Sequence, residues 1–115
     1  MNTMIVIDSQ EKLLMQPVAG IIELEELRAA TGAQWVESVT APSQDDESTD
    51  IVFWMDEEGR FVDNFRATEV FEEITGNRLN WPLVGTVVIC ASNDEGECVG
   101  LTDEQVHEIL ETALM

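Results

Sequence analysis

Apolar residues recur along this chain with two periods, one close to four and one of two, and the alternation between them sets out a mixed architecture. Met4–Asp8 (MIVID) reads as a short strand. Leu13–Val18 reads as its hairpin neighbour, and Pro17 marks a sheet edge because proline has no N–H to give to a ladder. Gly20–Thr31 is expected to be helical, with Leu24, Leu27 and Ala30 on one side and Gly32 as its stop. Gln34–Thr40 sets Trp35, Glu37 and Val39 against Gln34, Val36 and Ser38, which suits a strand. Ala41–Asp50 has no apolar period and reads as an exposed loop.

Ile51–Met55 (IVFWM) is expected to be a buried strand, with Asp56-Glu57-Glu58-Gly59 as the turn into Arg60–Val62. A second helix follows: Ala67, Val70, Phe71 and Ile74 are spaced i, i+3, i+4, i+7, Gly76 ends it, and Glu69, Glu72 and Glu73 lie opposite. Leu83–Ala91 is a β-branched run suited to the centre of a sheet. The last helix opens on a capping box, Thr102 with Gln105, and carries an apolar stripe of Val106, Ile109, Leu110, Ala113 and Leu114. Trp35 and Trp54 fall in strands and are assigned to the core. Trp81, in Asn80-Trp81-Pro82, is the candidate for an exposed anchor.

The elements predict one α+β domain spanning residues 1–115. Its twisted sheet, mixed or antiparallel, has four to six strands and about three helices packed mainly on one face. The alternative is a small α/β unit with parallel crossovers. No internal repeat or linker calls for a second domain.

Charge changes the picture more than composition does. The chain has 24 acidic residues against 5 Lys and Arg, for a formal charge of −19 on 115 residues. Hydrophobic content of 44% is that of a globular protein, so the acidity is not the mark of disorder. The excess is uneven. Residues 41–63 hold eight acids and one base, and residues 79–115 hold seven acids and no base, so each segment carries −7. Nineteen charges match roughly 32 Å of duplex DNA at about one charge per 1.7 Å. Such a surface disfavours direct binding to nucleic acid or anionic lipid and suits a basic protein surface. It also suits simple solubility or halophilic adaptation.

Catalytic chemistry is sparse. His107 is the lone histidine and falls on the polar face of the last helix, away from Ser92, Cys90 and Cys98, which a nucleophilic dyad would need. Calcium-loop register fails, because Gly96 or Gly59 at the sixth position puts Ala91 or Trp54 where the first Asp belongs. A loose cation site at Asp45, Asp46, Glu47 and Asp50 is the remaining metal reading. No Gly-rich phosphate loop is present, and no cofactor is called for. Cys90 and Cys98 flank Asn93-Asp94-Glu95-Gly96; a chain folded symmetrically about Asp94 would set them opposite each other, as reduced thiols in a cytosolic protein or as a cross-strand disulfide. The start of the chain, with Asp8 and Glu11 and no basic leader, predicts a cytoplasmic protein.

Asp56-Glu57-Glu58-Gly59-Arg60, with Asn64 and Ala67-Thr68 downstream, resembles a domain-of-unknown-function family, number 3846, of small proteins from phages, plasmids and bacteria. The likeness extends to the N-terminal strand, to a Leu-x-Gly-x-Val-Val-Ile-type strand (here Val84-Gly85-Thr86-Val87-Val88-Ile89) and to the closing Gly100-Leu101-Thr102-Asp103-Glu104-Gln105. The resemblance implies no enzymatic activity, and it implies a mobile-element setting. Small acidic proteins in that setting often look like DNA mimics with anti-restriction or anti-CRISPR roles, which occupy the nucleic-acid groove of a host defence nuclease.

The expectation is a non-enzymatic inhibitor whose acidic faces block such a basic surface. Asp45, Asp46, Glu47, Asp50, Asp56, Glu57 and Glu58 form one patch. Asp94, Glu95, Glu97, Asp103, Glu104, Glu108 and Glu111 form the other. Two further readings stay open: an accessory domain that binds through an apolar patch near Trp81, and an enzyme using a carboxylate-bound metal.

Overall fold

The structure, a computed structural model, describes residues 3–41, 50–56 and 62–114. In chain order the elements are β1 (Thr3–Ile7), β2 (Leu13–Pro17), α1 (Leu24–Thr31), β3 (Val36–Ala41), β4 (Asp50–Asp56), α2 (Phe65–Thr75), β5 (Val87–Ser92), β6 (Cys98–Val99) and α3 (Asp103–Ala113). The strands form one six-stranded sheet in the order β2-β1-β5-β4-β3, with β6 also on β5. Every strand pairing among the described residues is antiparallel, which confirms the α+β expectation over the parallel-crossover alternative.

β5 lies at the centre because it is apolar on both faces: Val87, Val88, Ile89, Cys90 and Ala91 are all fully buried. Its alternate side chains feed two cores. On one face Ile5, Ile7, Ile51, Phe53, Val87 and Ile89 meet α2 and α3 through Val70, Phe71, Val106 and Ile109. Phe53 and Phe71 close this layer edge to face, with centroids 5.2 Å apart. On the other face Met4, Val6, Val52, Val88 and Cys90 pack against Ile22 and Leu27 of the α1 region. Two helices therefore cover one face and a single short helix the other. β1 and β6 share one flank of β5: β1 pairs with Val87–Ile89, and β6 with Ala91 and Ser92. A reciprocal backbone pair between Thr3 and Leu101 ties β1 to the approach to α3.

The helices start and stop for local reasons. α2 is capped by Asn64, whose Oδ1 accepts from the Ala67 N–H at 3.1 Å. α3 carries the capping box expected of Thr102 and Gln105. Gly32 and Gly76 end α1 and α2 at φ of 73° and 72°, a left-handed region that costs glycine little.

Four expectations change. Gly20–Glu23 is not helical, because Ile21 bridges Val99 and the Ile22 N–H donates to the Cys98 carbonyl at 2.7 Å, drawing the segment into the sheet. Trp35 precedes β3 and is 53% exposed, with the Arg28 guanidinium 5.4 Å from its ring, so it is not core. Leu114 lies past the end of α3 and is exposed. The central strand begins at Val87 and not at Leu83, since Asp63 bridges Val84 and Gly85 donates to the Val62 carbonyl.

Candidate functional site

α3 presents an exposed acidic face. Its buried residues, Gln105, Val106, Ile109 and Ala113, occupy one stripe, so Asp103, Glu104, His107, Glu108 and Glu111 are turned to solvent. Asp103 and Glu104 sit in the first turn, where a carboxylate is favoured by the helix dipole. His107 Nε2 lies 2.8 Å from Glu111 Oε1, one turn away on the exposed face. A pair this open to water contributes little to stability.

The β5–β6 hairpin presents further carboxylates. Asn93 organises it: its Oδ1 accepts from the backbone N–H groups of Glu95 (3.0 Å) and Glu97 (2.9 Å), and its Nδ2 donates to Glu97 Oε1 at 3.1 Å. Asp94 and Glu95 are thereby held exposed at the tip, while Glu97 is half-buried. Asp50 pairs with Ser92 across β4 and β5, so it lies at this end of the sheet as well. Asp50, assigned from sequence to the first patch, thus stands at the base of the hairpin that carries part of the second.

Asp56 does not join them. It ends β4, about 20 Å of strand away from Asp50, and is buried at 8% exposure. It is a strand residue and not part of an exposed turn, because the β3–β4 ladder runs to its pairing with Val36. Asp45, Asp46, Glu47, Glu57 and Glu58 lie outside the described residues, as does most of the expected Arg60–Val62 segment; Val62 itself is exposed and not in a strand.

Trp81 is 81% exposed, the most open of the large apolar side chains described. Elsewhere an open cleft of about 380 Å³ is lined by Glu11, Phe65, Arg66, Glu69, Ala113 and Leu114. Arg66 spans one side of it, donating from Nε to the Ala113 carbonyl (2.9 Å) and from Nη1 to the Glu11 carbonyl (2.7 Å).

A second cluster lies on the α1 side. The hairpin register pairs Ser92 with Cys98, so Cys90 and Cys98 are diagonal neighbours on one face and not directly opposite. Both are free thiols, Cys90 buried and Cys98 half-buried. Cys90 is pushed well above the ordinary thiol value, first by its hydrogen bond toward Cys98 and then by burial. Cys98 is held below that value by the same Cys90 S–H, with the Trp54 indole assisting. Trp54 Nε1 is buried and has no full hydrogen-bond partner in the dithiol state.

Sequence reading missed the Arg66 clamp and the diagonal thiol pair. The first has no local signature. The second was marked by Asp94-Glu95-Gly96, a three-residue hairpin loop with glycine at the left-handed position (φ 79°), which centres the turn on Glu95.

Among the described residues no three His, Cys, Asp or Glu side chains are grouped to hold a metal ion. Among the same residues no helix is long and apolar enough to cross a membrane. Asn64 and Thr68, two of the residues by which the sequence resembles a known family, are architectural here. Both are buried, and Thr68 Oγ1 donates to the Asn64 carbonyl while accepting from the Leu83 N–H, each at 2.8 Å. Comparison with curated proteins and with solved structures finds no match. The family model described as a domain of unknown function (DUF3846) matches residues 1–114, and the chain belongs to that family.

Proposed function

We propose that this is a non-enzymatic binding protein that covers a basic, nucleic-acid-binding surface of a host protein, in the manner of a DNA mimic. The observation that carries the reading is the exposed run from the hairpin into α3. Asp94, Glu95, Asp103, Glu104, Glu108 and Glu111 face solvent there, and residues 79–115 include no Lys or Arg. The described residues extend 35 Å along their longest axis, a length over which duplex DNA carries about 21 charges, and the whole chain carries a formal charge of −19. A phage or plasmid setting fits a target among host defence nucleases.

Contacts of this kind accelerate association and weaken steeply with salt. The test is capture of partners from bacterial lysate at about 50 and 500 mM monovalent salt, with the wild type and with a Glu104→Gln, Glu108→Gln, Glu111→Gln variant. A basic partner held at low salt and released at high salt, and lost by the variant, supports the proposal. Capture that is indifferent to both changes removes it.

The exposure of Trp81 favours a second reading, an apolar contact near Asn80-Trp81-Pro82 with acidity serving solubility. Trp81→Ala would then abolish capture, and the glutamine variant would leave it intact.

A further inference from the structure

We propose that Cys98 and Cys90 form a reversible thiol-modification site that takes low-molecular-weight disulfides, with Cys98 as the attacking thiol and Cys90 as the resolving one. The placement rests on the hairpin. Ser92 and Cys98 are paired, so Cys90, two residues back along β5, lies on the same face one diagonal step away. Exposure divides the roles: Cys98 is half-buried at the end of a two-residue strand, and Cys90 is fully buried against Val88, Leu27 and Ile22.

The surroundings favour charge on Cys98. The Cys90 S–H is its main stabilising donor, and the Trp54 indole N–H assists. That N–H is one of two buried side-chain donors that lack a partner among the described residues, and a thiolate at Cys98 supplies the missing acceptor.

The chemistry balances without a metal or a further oxidant. The Cys98 thiolate attacks one sulfur of a disulfide R–S–S–R, forming the mixed disulfide Cys98–S–S–R and expelling RS⁻. The negative charge that opposed ionisation of Cys90 is then gone. Cys90 gives up its proton, which RS⁻ takes, and its thiolate attacks the Cys98 sulfur and expels the second RS⁻, which takes a proton from solvent. The protein loses two hydrogens, and the small disulfide becomes two thiols. A diagonal pair lies just beyond ordinary disulfide reach, so the bond requires β6 to move toward Cys90. β6 carries Ile21 and Ile22 with it, because they pair with Val99 and Cys98.

The folded protein is incubated with glutathione disulfide in the wild-type, Cys90→Ser and Cys98→Ser forms, and intact mass is followed with time. The wild type is expected to lose two hydrogens with no retained adduct. Cys90→Ser is expected to hold one glutathione at residue 98, and Cys98→Ser to react at least about tenfold more slowly, as a buried thiol does. Equal adduct formation by the two variants, or a wild type that stays a dithiol while Cys90→Ser is modified, overturns the assignment. Circular dichroism of each variant confirms that reactivity is read from folded protein.

Discussion

The Asn64 side-chain amide donates to the Gly85 carbonyl at 2.8 Å, and this bond holds the start of α2 against the segment that feeds β5. The same Nδ2 reaches the carbonyls of Ile7 (3.0 Å) and Asp8 (3.1 Å), while Oδ1 caps the helix at Ala67. One fully buried residue therefore joins the end of β1, the start of α2 and the approach to the central strand.

Asn64→Ala leaves buried carbonyls and an N–H without partners and removes a cap. It is expected to cost about 2–4 kcal/mol in urea unfolding at constant m-value. Asn64→Asp keeps the cap acceptor but sets a carboxylate against three carbonyls, and should be at least as damaging.

Glu11 occupies φ of 66°, the left-handed region, in the β1–β2 loop. Glu11→Gly relieves that strain without touching the carbonyl that Arg66 binds, and should stabilise by about 0.5–1 kcal/mol. Arg66→Ala should destabilise by about 1–2 kcal/mol, with faster amide exchange in the last turn of α3, whose C-terminal dipole the guanidinium meets.

The crowded carboxylates repel one another. Thermal stability is expected to rise between 20 and 300 mM monovalent salt, over which the Debye length shortens about fourfold, and to rise less in the Glu104→Gln, Glu108→Gln, Glu111→Gln variant. A wild-type midpoint that falls with added salt would contradict the repulsion.

The thiol pair predicts a pH dependence. Cys90 in the folded chain keeps its proton above the ordinary value of 9.0, where the unfolded chain has lost it. The native state then binds more protons, so stability falls as pH rises beyond about 9, by up to about 1.4 kcal/mol per pH unit for one proton. Cys98 has the opposite sign: its lowered value adds stability that is fully present above the unfolded value and fades as pH falls through the folded one. Stability from pH 7 upward should therefore rise slightly and then fall. In Cys90→Ala the alkaline fall should vanish, each protein being compared with its own stability at pH 7.

Trp81→Ala should change stability by less than about 0.5 kcal/mol, since the ring has little contact to lose. That makes it a clean probe in the capture experiment, separating an apolar contact from an electrostatic one.

What the residues revealed in advance follows from the range of the forces involved. α2 and α3 were legible because Ala67, Val70 and Phe71, and Val106 and Ile109, repeat with the helical period and are bounded by local caps. β5 was legible because Val87–Ala91 leaves no face for water. Long-range effects stayed hidden. Trp35 carries an aromatic ring at a strand border, and only the position of Arg28 on α1 reveals that it stays outside. Asp56 looked like the first residue of a turn until the ladder with Val36 extended to it. The acidic candidate site was half visible: the polar face of α3 can be read from spacing, but the meeting of Asp50 with the hairpin depends on strand order.

The shared flank of β5 governs when the protein can assemble. β1 and β2, and β3 and β4, are hairpin neighbours that can pair as soon as each is synthesised, yet among the described residues no strand pairing joins these two ribbons until residues 87–92 arrive between them. A ribosome must release the chain through β5 before the two halves become one sheet. Until then, each ribbon carries an open apolar face, and a truncation before Val87 would leave two hairpins with no ladder between them.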